Sequence, residues 1–314
     1  MIKKLSVTIG IPAYNEAANI SDLLQSLLLQ KQKGFVVSEI IVNSDASTDK
    51  TVTIVKNLQK KYPIITVISN KNRRGKYFRV NQLLHRCTGD ILILLDADII
   101  PVGDEFISKL VEAIVSDPRA KMIAAHNILL CPRSFIGKAI CANFTLWDII
   151  RLSIPKYDHA ANFYGTASAL PGDFARSITI PSNLTDPHMY LYLIANKYKG
   201  FRYCREAEVL QNSITNISDY IKFYRRTIGK KDKNLEKLFG IKTEEINHFP
   251  RKYKLLGLCK AFLSQPFYTP LGILLGIYAE KQAAPKINKL PIWDITTSSK
   301  KSLLSYLSLP INDH

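Results

Sequence analysis

Runs of strand length alternate with amphipathic helical patterns through the first 130 residues, and that order leaves few options besides a layered α/β sheet. Residues 5–11 form a β-type run that stops at Pro12, and Ile20, Leu23, Leu24, Leu27 and Leu28 then recur at helical spacing. Residues 39–43 read as a second strand, with Thr48 and Asp49 at a helix start and Val52, Val55 and Leu58 on its buried face. Residues 64–69, 91–95 and 122–130 read as further strands. Val80, Leu83 and Leu84 mark one intervening helix, and Phe106, Leu110, Val111 and Ile114 mark the next. The pattern predicts a doubly wound, mostly parallel sheet flanked by helices.

Ligands of such sheets gather outside the carboxyl ends of the strands. The residues that follow the first strand are Pro12, Ala13, Tyr14, Asn15 and Glu16, and those after the second run from Asn43 to Asp49. The third strand is followed by residues 70–76, with Arg73, Arg74 and Lys76 around Gly75, and the fourth by Asp96-Ala97-Asp98. Four sequence-distant polar clusters are therefore expected on one edge. Each alone is also compatible with ordinary turn and capping chemistry.

Asp96 and Asp98 end the apolar run 91–95. On an extended chain, side chains two apart point the same way, and two converging carboxylates repel unless a cation joins them. Few, oxygen-only ligands suit Mg2+ or Mn2+, with a substrate diphosphate completing the shell. A strand followed by a solvated acidic turn fits the same residues. No G-x-G-x-x-G follows the first strand and no G-x-x-x-x-G-K-[ST] occurs, which counts against a dinucleotide oxidoreductase and a P-loop NTPase. Phosphates would then be held by metal and by Arg74, Lys76 and their neighbours.

The pieces Ile11-Pro12-Ala13-Tyr14-Asn15-Glu16, Ser44-Asp45-Ala46-Ser47-Thr48-Asp49-Lys50-Thr51, Asn72-Arg73-Arg74-Gly75-Lys76 and Leu95-Asp96-Ala97-Asp98 stand in an order and spacing that resemble family 2 glycosyltransferases of the GT-A fold. The resemblance implies an inverting, metal-dependent enzyme. It would move a sugar from a nucleotide-diphosphate donor, UDP-sugar favoured, to a hydroxyl of a glycan or lipid-linked acceptor in cell-surface polysaccharide or glycolipid synthesis. It places Pro12, Ala13, Tyr14, Glu16 and Asp45 around base and ribose, with Asp45 facing the base. Lys76 would lie near the donor, Asp96 on the ribose and sugar side, and Asp98 on the metal. Where the family commonly has Asp-Asp-Gly-Ser, this chain has Ser44-Asp45-Ala46-Ser47, so the first acid is absent.

Thr185-Asp186-Pro187-His188 resembles the family's catalytic-base site with only the second acid present, which makes Asp186 the candidate base. Asp186 before Pro187 also reads as a helix N-cap. Asp173, in a segment resembling the acceptor-side glycine loop, is the reserve base. Residues 220–229 loosely resemble the Gln-x-x-Arg-Trp region of processive members, with Arg225 matching as a diphosphate contact. Lys222 and Arg226 replace the Gln and Trp, which argues against a polymer-threading synthase; a basic amphipathic helix is an equal reading.

Lys and Arg outnumber Asp and Glu by 43 to 26, for a formal net charge of +17, which points to an anionic partner. Residues 255–279 are strongly apolar but interrupted by Lys260, Gln265, Pro266 and Pro270. A re-entrant or interfacial segment flanked by Arg251, Lys252, Lys254 and Lys281 fits them, as does a buried or dimer-forming helix; residues 135–154 are a second such candidate. An anionic membrane surface is therefore expected as a partner, and nucleic acid is not. Cys87, Cys131, Cys141, Cys204 and Cys259 are odd in number without C-x-x-C spacing, which favours a reduced compartment. The first residues run straight into a strand without a signal-peptide pattern. Together these lead to a cytoplasmic protein, peripheral or monotopic at the inner face of the membrane.

The expected division is residues 1–130 as a nucleotide-sugar-binding half, 131–232 as the acceptor and catalytic-base half of the same domain, and 233–314 as a helical, membrane-proximal extension. Two alternatives stand beside the glycosyltransferase. One is a sugar-1-phosphate nucleotidyltransferase, whose Gly-rich, Arg-containing loop is absent; the other is a basic membrane- or phosphate-binding module without catalysis. Sugar, acceptor, processivity and oligomeric state are not read from the sequence.

Overall fold

The computed structural model describes residues 4–184, 187–227, 232–246, 249–283 and 300–303. Its first half follows the alternation of the sequence. Strands β1 (Leu5–Ala13), β2 (Phe35–Ser44), β3 (Ile65–Ser69) and β4 (Ile91–Leu95) are separated by helices α1 (Ile20–Leu28), α2 (Thr51–Lys61) and α3 (Lys76–Arg86). The short β5 (Ile99–Pro101), α4 (Phe106–Ser116) and β6 (Met122–Leu130) follow. The second half adds α5 (Phe135–Leu152), β7 (Ala167–Pro171), α6 (Gly172–Ser177), α7 (Pro187–Lys197) and β8 (Phe201–Asn212).

All these strands join one sheet in the order β3-β2-β1-β4-β7-β6-β8-β5. β1 pairs in parallel with β2 and β4, β2 with β3, and β6 with β8. β7 runs antiparallel between β4 and β6, and β5 antiparallel to β8. The sequence expectation of a mostly parallel sheet thus holds for its first half, while the second inserts reversed strands.

Alternation along the strands divides the core. Val7, Ile9 and Ile11 of β1 and Ile91, Ile93 and Leu95 of β4 pack with Leu23, Leu24, Phe106 and Leu110 on one face. Leu92 and Leu94 pack with Leu83, Leu84, Leu170 and Leu193 on the other. Each such side chain contributes about 1.5–3 kcal/mol on burial. Gly10 lets α3 approach β1, since a Cβ there would stand 3.2 Å from the Leu83 side chain.

Helices α8 (Ile217–Thr227), α9 (Lys233–Phe239), α10 (Thr243–Ile246), α11 (Arg251–Ser264) and α12 (Tyr268–Ala283) complete the described chain. The apolar stretch 255–279 is therefore two helices, broken at residues 265–267 where the chain carries Gln265 and Pro266. Glycines seat them on α5: a Cβ on Gly257 would strike Ile150, and one on Gly272 would lie 2.3 Å from the Ala139 carbonyl. Among the described residues no helix is long and apolar enough to cross a membrane. The outward faces nonetheless expose Leu255, Leu263, Phe267 and Leu274, with Leu263 at 85%.

One expectation is overturned here. Cys131, just after β6, and Cys141, in the second turn of α5, form a disulfide with Cα atoms 5.6 Å apart. The chain doubles back through Pro132 and Ser134 into α5, a juxtaposition that a spacing of ten residues does not reveal. Cys87, Cys204 and Cys259 remain free thiols. The bridge counts against the reduced compartment inferred from the cysteine pattern.

Candidate active site

The loops after β1 and β2 are fastened to each other. Asp45 N–H donates to the Ala13 carbonyl at 2.8 Å, Glu16 N–H to Thr51 Oγ1 at 2.8 Å, and Thr48 N–H to Asn15 Oδ1 at 2.8 Å. These crossings hold Asn15 and Ala46 at positive φ, 53° and 61°. For alanine that conformation costs roughly 1–2 kcal/mol. Pro12, Ala13, Tyr14 and Glu16 are thereby presented along the carboxyl edge.

Asp45 is buried and anchors the next loop. Its Oδ1 accepts from the Arg74 N–H at 2.8 Å and from Arg79 Nε at 2.7 Å, and its Oδ2 from the Gly75 N–H at 2.8 Å. Gly75, at φ 92°, makes the turn that brings those amides onto one carboxylate. The carboxylate expected to face a base is thus occupied in shaping residues 74–76. The Arg74 guanidinium lies on the Phe78 ring, 3.7 Å from its centroid, and Arg73 lies 4.1 Å from the centre of the Tyr14 ring. Arg79, buried at 2%, is a site-shaping residue that helical periodicity alone did not single out.

Asp96 and Asp98 have different neighbours in the metal-free site. The chain turns at residues 97–98 instead of continuing as a strand, so the same-side rule for extended chain does not apply. Asp96 Oδ1 pairs with Lys76 Nζ at 2.5 Å. Lys76 also donates to the Gly165 carbonyl at 3.1 Å, and the Asp96 N–H donates to the Thr166 carbonyl at 2.7 Å. Asp98 acts instead on Glu16: burial first, then the Asp98 charge, pushes the Glu16 carboxyl up to about 8, opposed by the nearby Lys300 ammonium.

The 160–166 segment that receives Lys76 and Asp96 is held from below by a buried arginine. Arg151 donates from Nη1 to Asn162 Oδ1 at 2.6 Å and from Nε to Asp148 Oδ1 at 2.9 Å, and Tyr164 donates its hydroxyl to the same Asp148 oxygen at 2.9 Å. A small cleft opens beside the ion pair, lined by Pro12, Lys76, Tyr77, Asp96, Gly165 and His188 among others. His188 packs edge-on against Tyr77 and Phe163, and Gly165 must be glycine because a Cβ would come within 2.0 Å of the imidazole.

Asp186 falls outside the described residues, and two other sequence candidates lie apart from this geometry. Asp173 stands at the opposite end of β4: the antiparallel register pairs Leu95 with Ala167 but Ile91 with Pro171, roughly 13 Å away along the strand at ~3.3 Å per residue. The resemblance located its segment, and the reversed direction of β7 removes it from the edge. Arg225 lies on α8, its Nε buried with no hydrogen-bond partner among the described residues, and no contact among them joins it to Lys76, Asp96 or Asp98.

A divalent cation fits this site only in part on protein ligands. No group of three or more His, Cys, Asp or Glu able to hold a metal occurs among the described residues. Asp98 nevertheless forms no ion pair among them and faces a second carboxylate. An oxygen-preferring ion that takes one carboxylate and completes its shell with substrate phosphates and water suits that arrangement.

Residues 8–133, the span that carries every one of these loops up to the end of β6, match the family described as Glycosyl transferase family 2. Residues 8–133 are thus the part of the chain that is similar to glycosyltransferase family 2. Among curated relatives, the chain is 31% identical over 148 residues to the dolichyl-phosphate beta-glucosyltransferase ALG5C of Trichomonas vaginalis, covering 41% of this chain and 43% of that one. It is 28% identical over 132 residues to the poly-beta-1,6-N-acetyl-D-glucosamine synthase of Staphylococcus aureus, covering 42% of this chain and 31% of the synthase. The match thus spans less than half the length of either relative. Its fold is similar to that of the mannosyltransferase PcManGT of Pyrobaculum calidifontis in complex with GDP-Man and Mn2+, with a TM-score of 0.55, 20% identity, and coverage of 90% of this chain and 79% of that one. The fold is GT-A.

Proposed function

We propose that the chain transfers a sugar, with inversion, from a nucleotide-diphosphate donor to a hydroxyl of a glycan or lipid-linked acceptor, in the synthesis of cell-surface polysaccharide or glycolipid. The observation that carries this reading is the meeting of four sequence-distant loops on one sheet edge, where Lys76 pairs with Asp96 beside Asp98 and Glu16. Relatives named for glucosyl and N-acetylglucosamine chemistry support a UDP-sugar; the GDP-Man neighbour keeps a guanine donor in the test.

Pro12, Ala13 and Tyr14 form the nucleoside wall, Asp45 fixes the neighbouring loop behind it, and Arg74 and Lys76 supply positive charge from the β3–α3 loop. Lys76 holds Asp96 in a fixed orientation toward the ribose and sugar. A divalent cation, Mg2+ or Mn2+, held on Asp98 would neutralise the charge that grows on the leaving diphosphate. Asp186 takes the acceptor proton. Support for that role comes from His188, two residues on, which lines the cleft beside Lys76 and Asp96. Attack on the anomeric carbon from the side opposite the leaving diphosphate then inverts its configuration.

The exposed apolar residues of α11 and α12, with Lys252, Lys254 and Lys260 close by, support peripheral attachment to an anionic membrane, which suits a lipid-linked acceptor. The Cys131–Cys141 bridge argues against a reducing surrounding, so the attachment is proposed without the inner-face placement.

The test is a screen of purified protein against UDP- and GDP-sugars with glycan and lipid-phosphate acceptors, products read by mass spectrometry. Asp186→Asn is expected to lower kcat by ~10²–10⁴ while leaving donor affinity unchanged. An unaltered kcat in that variant overturns the base assignment, and no product from any pair overturns the activity.

A further inference from the structure

The donor edge holds a cation that no motif predicts. Lys300 belongs to the segment 300–303, which is secured at both ends. Asn212 Nδ2, at the end of β8, donates to the Lys301 carbonyl at 2.7 Å. Leu303 is fully buried, and its N–H reaches Asn19 Oδ1, just before α1, at 3.3 Å. β8 and β1 run in the same sense, so the segment lies along the carboxyl edge of the sheet.

From there the Lys300 ammonium donates to the carbonyls of Tyr14 at 2.6 Å and Asn15 at 3.3 Å, and to Glu16 Oε1. It also lies 5.9 Å from the centre of the Tyr14 ring, which Arg73 approaches as well. The Lys300 side chain is only 21% exposed. Leu303 and the two end hydrogen bonds suffice to fasten a strap. They do not explain why a flexible lysine is drawn out of water to this position, beside the loop that forms the nucleoside wall and the carboxylate that senses Asp98. A fixed ammonium there compensates the acidic side of a site that must receive a polyanion.

We infer that Lys300 is a donor-binding residue, whose ammonium, carried in by the 300–303 segment, attracts the diphosphate of a nucleoside diphosphate to the Glu16 and Asp98 side of the site. This rests on the donor reading above. It adds a residue from the far end of the chain to a site otherwise built from the first hundred residues.

Calorimetric titration of UDP and GDP with Mn2+, alongside uridine and guanosine, tests it on the full chain. Lys300→Met is expected to weaken diphosphate binding roughly ten- to hundredfold and to leave nucleoside binding unchanged, with Lys300→Arg restoring most of the loss. Lys300→Gln removes the charge but keeps N–H donors in the side chain, and is expected to weaken diphosphate binding as the Met variant does, giving a second neutral variant in case Lys300→Met folds poorly. Diphosphate affinity unchanged in a folded Gln or Met variant overturns the inference and leaves Lys300 a strap. An equal loss for nucleoside and diphosphate overturns it too, since that marks disorder of the β1 loop. Failure of the wild type to bind either diphosphate overturns the donor reading and this inference together.

Discussion

Lys76 Nζ lies 2.5 Å from Asp96 Oδ1, with both side chains largely withdrawn from solvent at 24% and 19% exposure. The pair ties the first turn of α3 to the residue that ends β4, and the Gly165 carbonyl takes a second hydrogen of the ammonium. Lys76→Met and Asp96→Asn are therefore expected to be non-additive. A double-mutant cycle by urea denaturation should return a coupling of about 1–2 kcal/mol, within the range for residues in one network. A coupling near zero would show that the contact does not contribute to the folded state.

Glu16 gives the metal-free protein a distinctive pH dependence. Its carboxyl is pushed from 4.5 up to about 8 by burial and by Asp98. A raised carboxyl favours the protonated form in the folded chain. The stability it confers is fully present below about 4.5, declines as pH rises from 4.5 toward 8, and is gone above that. The change is on the order of a few kcal/mol. Melting temperatures in chelator across this window should fall for the wild type and stay flatter for Glu16→Gln. Identical slopes would refute the shift.

Thiol titration checks the bridge. In denaturant without reductant, Cys87, Cys204 and Cys259 should react and Cys131 and Cys141 should not. Reduction should expose all five and cost about 2–3 kcal/mol of stability, the scale for a short closed loop. Five reactive thiols before reduction would contradict the pairing.

Vesicle sedimentation examines the helical hairpin. The wild type should pellet with vesicles rich in phosphatidylglycerol and much less with neutral ones, and added salt should release part of it. Leu263→Asp with Phe267→Ser removes apolar contact without touching the sheet edge and should abolish pelleting while leaving donor binding intact. Equal pelleting by the double variant would contradict attachment through α11 and α12.

Much of this architecture is written locally. The strand runs, the helical periodicities and the rule that ligands gather at carboxyl ends suffice to bring Glu16, Asp45, Lys76 and Asp98 to one edge. What local pattern does not carry is direction and distance. Asp173 left the edge because β7 runs backwards, which its five residues do not disclose. Asp96 meets Lys76 while Asp98 acts on Glu16, partners that the spacing of two acids does not name. Arg79 and Arg151 read as ordinary helix residues until burial shows that one fixes Asp45 and the other the 160–166 segment. Lys300 stands 284 residues from Glu16; only the folded chain brings them together. Cys131 and Cys141 lacked a recognisable spacing for the same reason.

On the proposed function, this edge binds a sugar nucleotide through a divalent cation on Asp98. Nucleoside diphosphate release from UDP- and GDP-sugars, with Mn2+ and with chelator, in the wild type and in Asp98→Asn, tests it most directly. Release is expected from at least one donor with Mn2+, with its loss on chelation and a fall of at least about a hundredfold in Asp98→Asn. Release that persists undiminished in chelator and in Asp98→Asn would contradict it.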